Sequence, residues 1–151
     1  MDIEALTTII HANPYWGSRA DNVVFQAIPD DNAMEELTAR FISPNTYEIC
    51  CIPFISYNLA LGDLVFVNDR KEIESVLVRS GRWVFRAWFE NGVLDAEAFE
   101  SNINFQGGNC EWYSRQLVAI DAEDHSVAEP IANYLQMLED ARSLVYETGK
   151  T

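Results

Sequence analysis

Residues 83–108, WVFRAWFENGVLDAEAFESNINFQGG, place a strand directly before a helix. Apolar side chains on both alternating faces of 84–89 predict a central strand, in which Arg86 needs a partner inside the protein. Asp95 has the side chain of a helix N-cap, and apolar residues at helical spacing follow it up to Gly107. The stretch therefore predicts a β-strand followed by an amphipathic helix.

The pattern continues toward the C-terminus. Residues 111–121 contain LVAID, which is typical of a strand, and Ser126 is placed to cap a second helix that runs to about residue 143. Residues 144–147 predict a last strand. The order strand, helix, strand, helix, strand predicts a sheet with helices on one face.

The N-terminal half reads mostly as strands. Segments 22–28, 64–67 and 73–78 are rich in β-branched and apolar residues. The turn SPNT favours a hairpin that pairs 36–42 with 47–52, although MEELTARF has helical spacing as well. Residues 2–11 predict a short helix. We therefore expect an α+β fold, with an antiparallel or mixed sheet or small barrel first. One domain over 1–151 is expected, with two lobes, 1–82 and 83–151, as the alternative.

Charge is the strongest signal in the composition. The chain has 24 acidic and 10 basic residues, for a net charge of −14. Such a surface repels nucleic-acid phosphates and anionic lipids and attracts basic proteins, or it serves only solubility. The N-terminus lacks the basic and long apolar regions of a signal peptide, and three cysteines do not form a disulfide framework. These features predict a cytoplasmic protein with buried thiols.

Two segments carry a family likeness: IPFISYNLALGDLVFV (52–67) and VLVRSGRWVFRAWF (76–89). They resemble the bacterial domain-of-unknown-function family 4265, and the resemblance implies a fold and a bacterial origin but no activity. An acidic stretch at 122–125 stands where the family often has prolines. The matching motif residues that we interpret as structural are Pro53, Phe54, Gly62, Asp63, Arg79, Ser80, Gly81 and Arg86. Gly62 allows a turn with positive φ, and Asp63 can accept hydrogen bonds from neighbouring backbone N–H groups.

Catalytic and metal-binding signals are weak. His11 and His125 are the only histidines and stand in no catalytic motif, so surface positions are expected for both. A pairing of Cys51 with a histidine is the alternative. No metal-ligand spacing and no cofactor motif is present, and the acidic residues near 121–124 predict a solvated loop. The sequence therefore predicts neither an enzyme nor a metalloprotein.

Binding residues are expected in two acidic clusters and among aromatic residues near loops. The acidic candidates are Asp30, Asp31, Glu35, Glu36, Glu111, Asp121, Glu123, Asp124 and Glu129. The candidate aromatic anchors are Tyr15, Trp16, Trp112 and Tyr113. Half of the basic residues lie within 70–86, where arginines can pair with local acids such as Asp63, Glu74 or Glu90, or can bind an anion.

Two functions follow from this pattern. The first is an immunity protein that covers the basic surface of a bacterial toxin, especially a nuclease toxin, after electrostatically steered association. The second is a small-molecule-binding or regulatory domain, in which Arg79 or Arg86 binds an anion in a pocket.

Overall fold

A computed structural model describes residues 7–150, which form ten strands and two α-helices. The N-terminal strands are β1 (Thr7–Ile9), β2 (Asn22–Ile28), β3 (Ala33–Ser43), β4 (Thr46–Ile49), β5 (Leu64–Val67) and β6 (Ile73–Val78). The C-terminal elements are β7 (Trp83–Trp88), α1 (Ala96–Phe105), β8 (Asn109–Trp112), β9 (Leu117–Ala122), α2 (His125–Asp140) and β10 (Val145–Lys150). This composition confirms the expected α+β class.

The N-terminal strands form a mixed sheet in the order β1-β3-β4-β5-β6, with β2 also paired to β3. The hairpin β3–β4 confirms the prediction made from the SPNT turn. A single bridge between Phe25 and Glu72 brings β2 to the start of β6, so the sheet curls into a partly closed barrel. Its interior is apolar and includes Val24, Leu37 and Ile49. We call residues 7–82 the barrel half.

The C-terminal strands form an antiparallel sheet in the order β10-β7-β9-β8. The chain order β-α-β-β-α-β, together with this strand order, gives the C-terminal half a ferredoxin-like topology. Strand β7 is central, as its apolar faces predict. Alternate residues Phe85 and Ala87 pack under the helices, against Phe99, Ile103 and Ile131. The opposite face of this sheet, which carries Arg86, is turned toward the barrel half.

Two local predictions are wrong, and one strand was not predicted. Residues 7–9 form a strand instead of helix because they pair in parallel with Ala33–Glu35, and residues 10–11 are not helical either. Residues 2–6 of the expected helix lie outside the described residues. The strand expected at LVAID is confirmed as β9, but the preceding strand β8, with which it forms a hairpin, was not predicted. The N-cap of α2 is Asp124, whose carboxylate accepts the Val127 N–H, and not Ser126.

The two halves share an apolar cluster. Ile52, Phe54 and Leu61 from the segment after β4 pack against Val84 of β7 and Ala119 of β9. Shared burial of this kind supports the expectation of one domain, which stays a prediction. Within residues 7–150, neither helix combines the length and the apolar character that crossing a membrane requires.

Candidate functional site

A buried histidine joins the two sheets. The Nε2 atom of His11 lies 2.6 Å from Oε2 of Glu35 on β3, and its Nδ1 atom lies 2.5 Å from Oε2 of Glu111 on β8. The imidazole also stacks on the ring of Phe54, with a centroid separation of 4.1 Å. We call His11, Glu35 and Glu111 the His11 clasp. The prediction that His11 is a surface residue is therefore wrong.

Strand alternation explains why the clasp acids are buried. Along β3, Ala33, Glu35 and Leu37 are on the inner face, while Glu36 is on the outer one. On β8, Glu111 pairs with the buried Ala119. Two acidic side chains thus enter the interior from opposite sheets, where each needs a charged or hydrogen-bonding partner.

Both carboxylates also accept hydrogen bonds from backbone N–H groups of the segment that follows β4. Glu35 accepts the backbone N–H groups of Phe54, Ile55 and Ser56, at 2.7–3.1 Å, and the Ser56 hydroxyl. Glu111 accepts the N–H groups of Tyr15 and Ile52. Because 52–56 has no strand partner of its own, these bonds replace a sheet ladder. We call residues 50–63 the clasp loop.

The charges of the clasp are complementary. Burial alone would lower the pKa of His11, but its contacts with Cys51, Glu111 and Glu35 outweigh burial and raise that pKa to about 12. Burial would raise the pKa of Glu35, but hydrogen bonds and the charge of His11 lower it. His11 is therefore an imidazolium held between carboxylates at neutral pH.

Cys51 lies beside His11, so the alternative pairing from the sequence is present in space. Burial raises the pKa of this thiol, and the neighbouring His11 offsets the rise only in part. A nucleophilic cysteine needs a thiolate that a substrate can reach. The Cys51 thiol is instead fully buried, and the His11 side chain has no exposed surface, so a substrate can reach neither.

Arg86 occupies a second buried position, on the face of β7 opposite the helices. Its Nη1 and Nη2 atoms donate to the carbonyl oxygens of Phe54 and Ser56, at 3.2 and 2.5 Å. Among the described residues, the nearest carboxylate oxygen, on Glu147, is 3.9 Å from Nη1. Arg86 is therefore paired inside the protein, mainly with carbonyl oxygens of the clasp loop and at longer range with Glu147, and not with Asp63, Glu74 or Glu90.

Arg86 lines a cleft of about 380 Å³ between the clasp loop and β10. The ring of Tyr57 lies 4.7 Å from the guanidinium carbon, and the Tyr57 hydroxyl donates to Glu147 at 2.7 Å. The Nε–H of Arg86 finds no hydrogen-bond acceptor among the described residues, although the side chain is buried. Burial also lowers the pKa of Arg86, against the opposing effect of Glu147 and Glu35.

The remaining motif residues shape a turn. Gly62 has φ of +84°, as predicted, and the buried Asp63 accepts the N–H groups of Ala60 and Ser80. Gly81 also has positive φ, at the turn before β7. Arg79 donates to the carbonyl of Asn58, so its partner is again the clasp loop rather than an acid. Pro53 lies buried within that loop.

The two predicted acidic clusters divide between surface and interior. Exposed or half-exposed members are Asp30, Asp31, Glu36, Glu123, Asp124 and Glu129. Glu35, Glu111 and Asp121 are buried, so their assignment to a partner-binding surface is wrong. The physical reason is internal pairing: Asp121 accepts bonds from Arg82, at 2.7 Å, and from Asn109.

The aromatic candidates divide in the same way. Tyr15 and Tyr113 are exposed, whereas Trp16 is partly buried, with the Arg19 guanidinium 4.3 Å from its ring. Trp112 is also partly buried and packs against Phe89 and Phe99 at the helix-covered core, and its role as an anchor stays a prediction. His125 is exposed, as predicted. Within residues 7–150, no cluster of three or more His, Cys, Asp or Glu side chains is placed to hold a metal ion.

Comparisons with known proteins bear on the fold. A family model described as "Domain of unknown function (DUF4265)" matches residues 35–146. A solved structure described as "Novel crystal structure of a hypothetical protein from Neisseria gonorrhoeae" superimposes with a TM-score of 0.71 at 18% identity. The match covers 85% of this chain and 92% of the other. No curated protein matches the chain significantly.

Proposed function

The chain belongs to the DUF4265 family, which supplies no activity, and we propose that it is a cytoplasmic immunity protein that neutralises a basic bacterial toxin. It is proposed to work as a binding protein and not as an enzyme. The partner is a basic toxin domain, most specifically a nuclease, whose substrate-binding surface is positively charged. The proposal rests on one observation, the uneven distribution of acidic residues.

Acidic residues concentrate around the two helices. Segments 95–108 and 123–143 contain three and five acidic residues respectively, and Arg142 is their single basic residue. We call this surface the helical face; its acids are Asp95, Glu97, Glu100, Glu123, Asp124, Glu129, Glu139 and Asp140. The barrel half is more balanced, with ten acidic and six basic residues, and two of those acids, Glu35 and Asp63, are buried.

Exposed apolar side chains border the helical face. Leu94, before α1, is fully exposed, and Phe105, at the end of α1, is 92% exposed. A groove of about 530 Å³ runs between the 90–95 loop and the two helices. Large exposed apolar groups near charged ones are typical of protein-binding surfaces, where apolar anchors supply affinity and charges supply orientation.

The charge pattern also supports a mechanism. A surface with one sign of charge attracts a basic partner over a Debye length, which is about 10 Å at 0.1 M salt, and raises the rate of encounter. An inhibitor gains from rapid association because the toxin must be bound before it damages the cell's own nucleic acid. The rigid inner part of the fold, held by the His11 clasp, has no role in this step beyond shape.

The proposal can be tested by co-expression with the product of the upstream neighbouring gene, followed by affinity capture. A one-to-one complex with the C-terminal domain of a toxin is expected. Charge reversal on the helical face, with Glu97→Lys and Glu129→Lys together, should weaken capture. The matched control, Asp69→Lys with Glu74→Lys on the barrel half, should not. Failure of the wild-type chain to bind, or equal loss in both variants, would contradict the proposal.

A further inference from the structure

The cleft beside Arg86 contains an incompletely neutralised cation. A buried guanidinium is normally paired with a carboxylate in direct contact. Arg86 instead bonds two carbonyl oxygens, and its Nε–H has no acceptor among the described residues. Glu147 stays 3.9 Å from the guanidinium while its other oxygen accepts the Tyr57 hydroxyl. Much of one positive charge therefore lies at the wall of the cleft without a carboxylate in direct contact.

The walls of the cleft are mostly apolar. Trp88 and Val145 line it and are 42% and 55% exposed, and Leu117 and Ile55 complete its apolar surface. Its volume of about 380 Å³ lies at the lower end of the range for small-molecule sites. Apolar walls around a single buried cation are suited to an organic acid with a compact apolar body.

Negative charges at the cleft favour a ligand with one negative charge over a ligand with two. Asp31 and Glu147 also line the cleft, so a phosphate group with two charges would meet stronger repulsion than a carboxylate with one. A flat apolar body can lie on the Trp88 ring, while the carboxylate is attracted by the positive charge of the nearby guanidinium.

We propose that this cleft is a binding site for a small aromatic or branched monocarboxylic acid, held by Arg86 and by the apolar wall that includes Trp88. The site lies on the face of β7 opposite the helices, since Arg86 and Trp88 alternate with Phe85 and Ala87, which pack under them. Ligand binding here is independent of the helical face, so either proposal can fail alone.

The experiment is an NMR titration of the folded chain with 2-naphthoate, observed through the Nε–H resonance of Arg86. A saturable shift of that resonance is expected. The neutral analogue 2-naphthamide should bind at least about tenfold more weakly, because it lacks the charge that Arg86 neutralises. Equal affinity for the acid and the amide, or no binding of the acid at millimolar concentration, would overturn the proposal.

Two variants leave Arg86 and its carbonyl bonds in place. Glu147→Gln removes a competing carboxylate and should tighten 2-naphthoate binding by about threefold or more. Val145→Glu adds a negative charge to an exposed wall position and should abolish binding. Weaker binding of 2-naphthoate to the Glu147→Gln variant would show that Glu147 does not compete with the ligand for the charge of Arg86, which would also overturn the proposal.

Discussion

Glu35 is the residue on which most of the inner contacts depend. Its carboxylate accepts bonds from His11, from three successive backbone N–H groups and from the Ser56 hydroxyl, with no exposure to solvent. Removal of this carboxylate would leave the His11 cation without one of its two carboxylate partners and several buried N–H groups without an acceptor.

Replacing Glu35 by Gln should lower the free energy of unfolding by about 3–5 kcal/mol, since the change breaks a buried ion pair while keeping the side-chain shape. The measurement is urea denaturation. Glu36→Gln is the matched control, as Glu36 lies next along β3 on the outer face, and it should change stability by less than about 0.5 kcal/mol. Similar losses in both variants would contradict the role assigned to Glu35.

The pKa of His11 predicts a dependence of stability on pH. Folding raises this pKa from 6.5 to about 12, so the stabilisation is complete below pH 6.5 and is lost as pH rises toward 12. Over pH 6.5–7.5, where the thiols of unfolded cysteines, with a pKa of about 8.5, are still mostly protonated, each unit should cost up to about 1.4 kcal/mol.

Denaturation at several pH values measures this slope, and ¹⁵N NMR should find both ring nitrogens of His11 protonated at pH 8.5. A variant in which His11 is replaced by Gln should lose the slope, although it should be less stable throughout because Glu35 and Glu111 then face each other. A neutral imidazole at pH 8.5 in the folded wild type would contradict the ionic clasp.

At the scale of elements, helix capping distinguishes the sequence prediction from the structure. Asp124 accepts both the Val127 N–H and the Ser126 hydroxyl, so it is the cap of α2, and Ser126 only supports it. Asp124→Ala should lower the unfolding temperature by about 2–4 °C. Ser126→Ala should lower it by less. Calorimetry measures both unfolding temperatures. A larger decrease for Ser126→Ala than for Asp124→Ala would show that Ser126 is the cap.

Most elements could be predicted from the sequence because their periodicity is local. Strands β2, β5 and β6 have their expected bounds, and the N-cap at Asp95 accepts the Ala98 N–H as predicted. Strand β1 could not be predicted, since it exists through its parallel pairing with β3, a partner far along the chain. Propensity is overridden where such tertiary pairing is available.

The clasp was only partly predictable. The alternation of Leu37 and Ala39 on the inner face of β3, extended back by one repeat, puts Glu35 inside, so a signal was present in the sequence. No comparable signal marks His11, which stands outside any strand or helix and is buried by contacts with distant residues. The meeting of His11 and Glu111 depends on how the two sheets pack.

For the whole molecule, the clasp lies inside the fold, whereas the helical face that we propose as the partner-binding surface lies outside it. Glu35 belongs to the barrel half and Glu111 to the other sheet, so the shared His11 supports unfolding as one unit. The helical face is on the outside of the second sheet, away from this interior. We therefore expect surface charge changes there to alter partner binding while leaving the free energy of unfolding nearly unchanged.

The most direct measurement is the rate of association with the captured toxin domain, between about 0.05 and 0.5 M salt. The account predicts that the wild-type association rate falls at least about tenfold across this range. The variant with Glu97→Lys and Glu129→Lys should associate more slowly and with a shallower salt dependence. The control with Asp69→Lys and Glu74→Lys should behave like wild type. An association rate that is independent of salt, or one that the helical-face variant leaves unchanged, would contradict it.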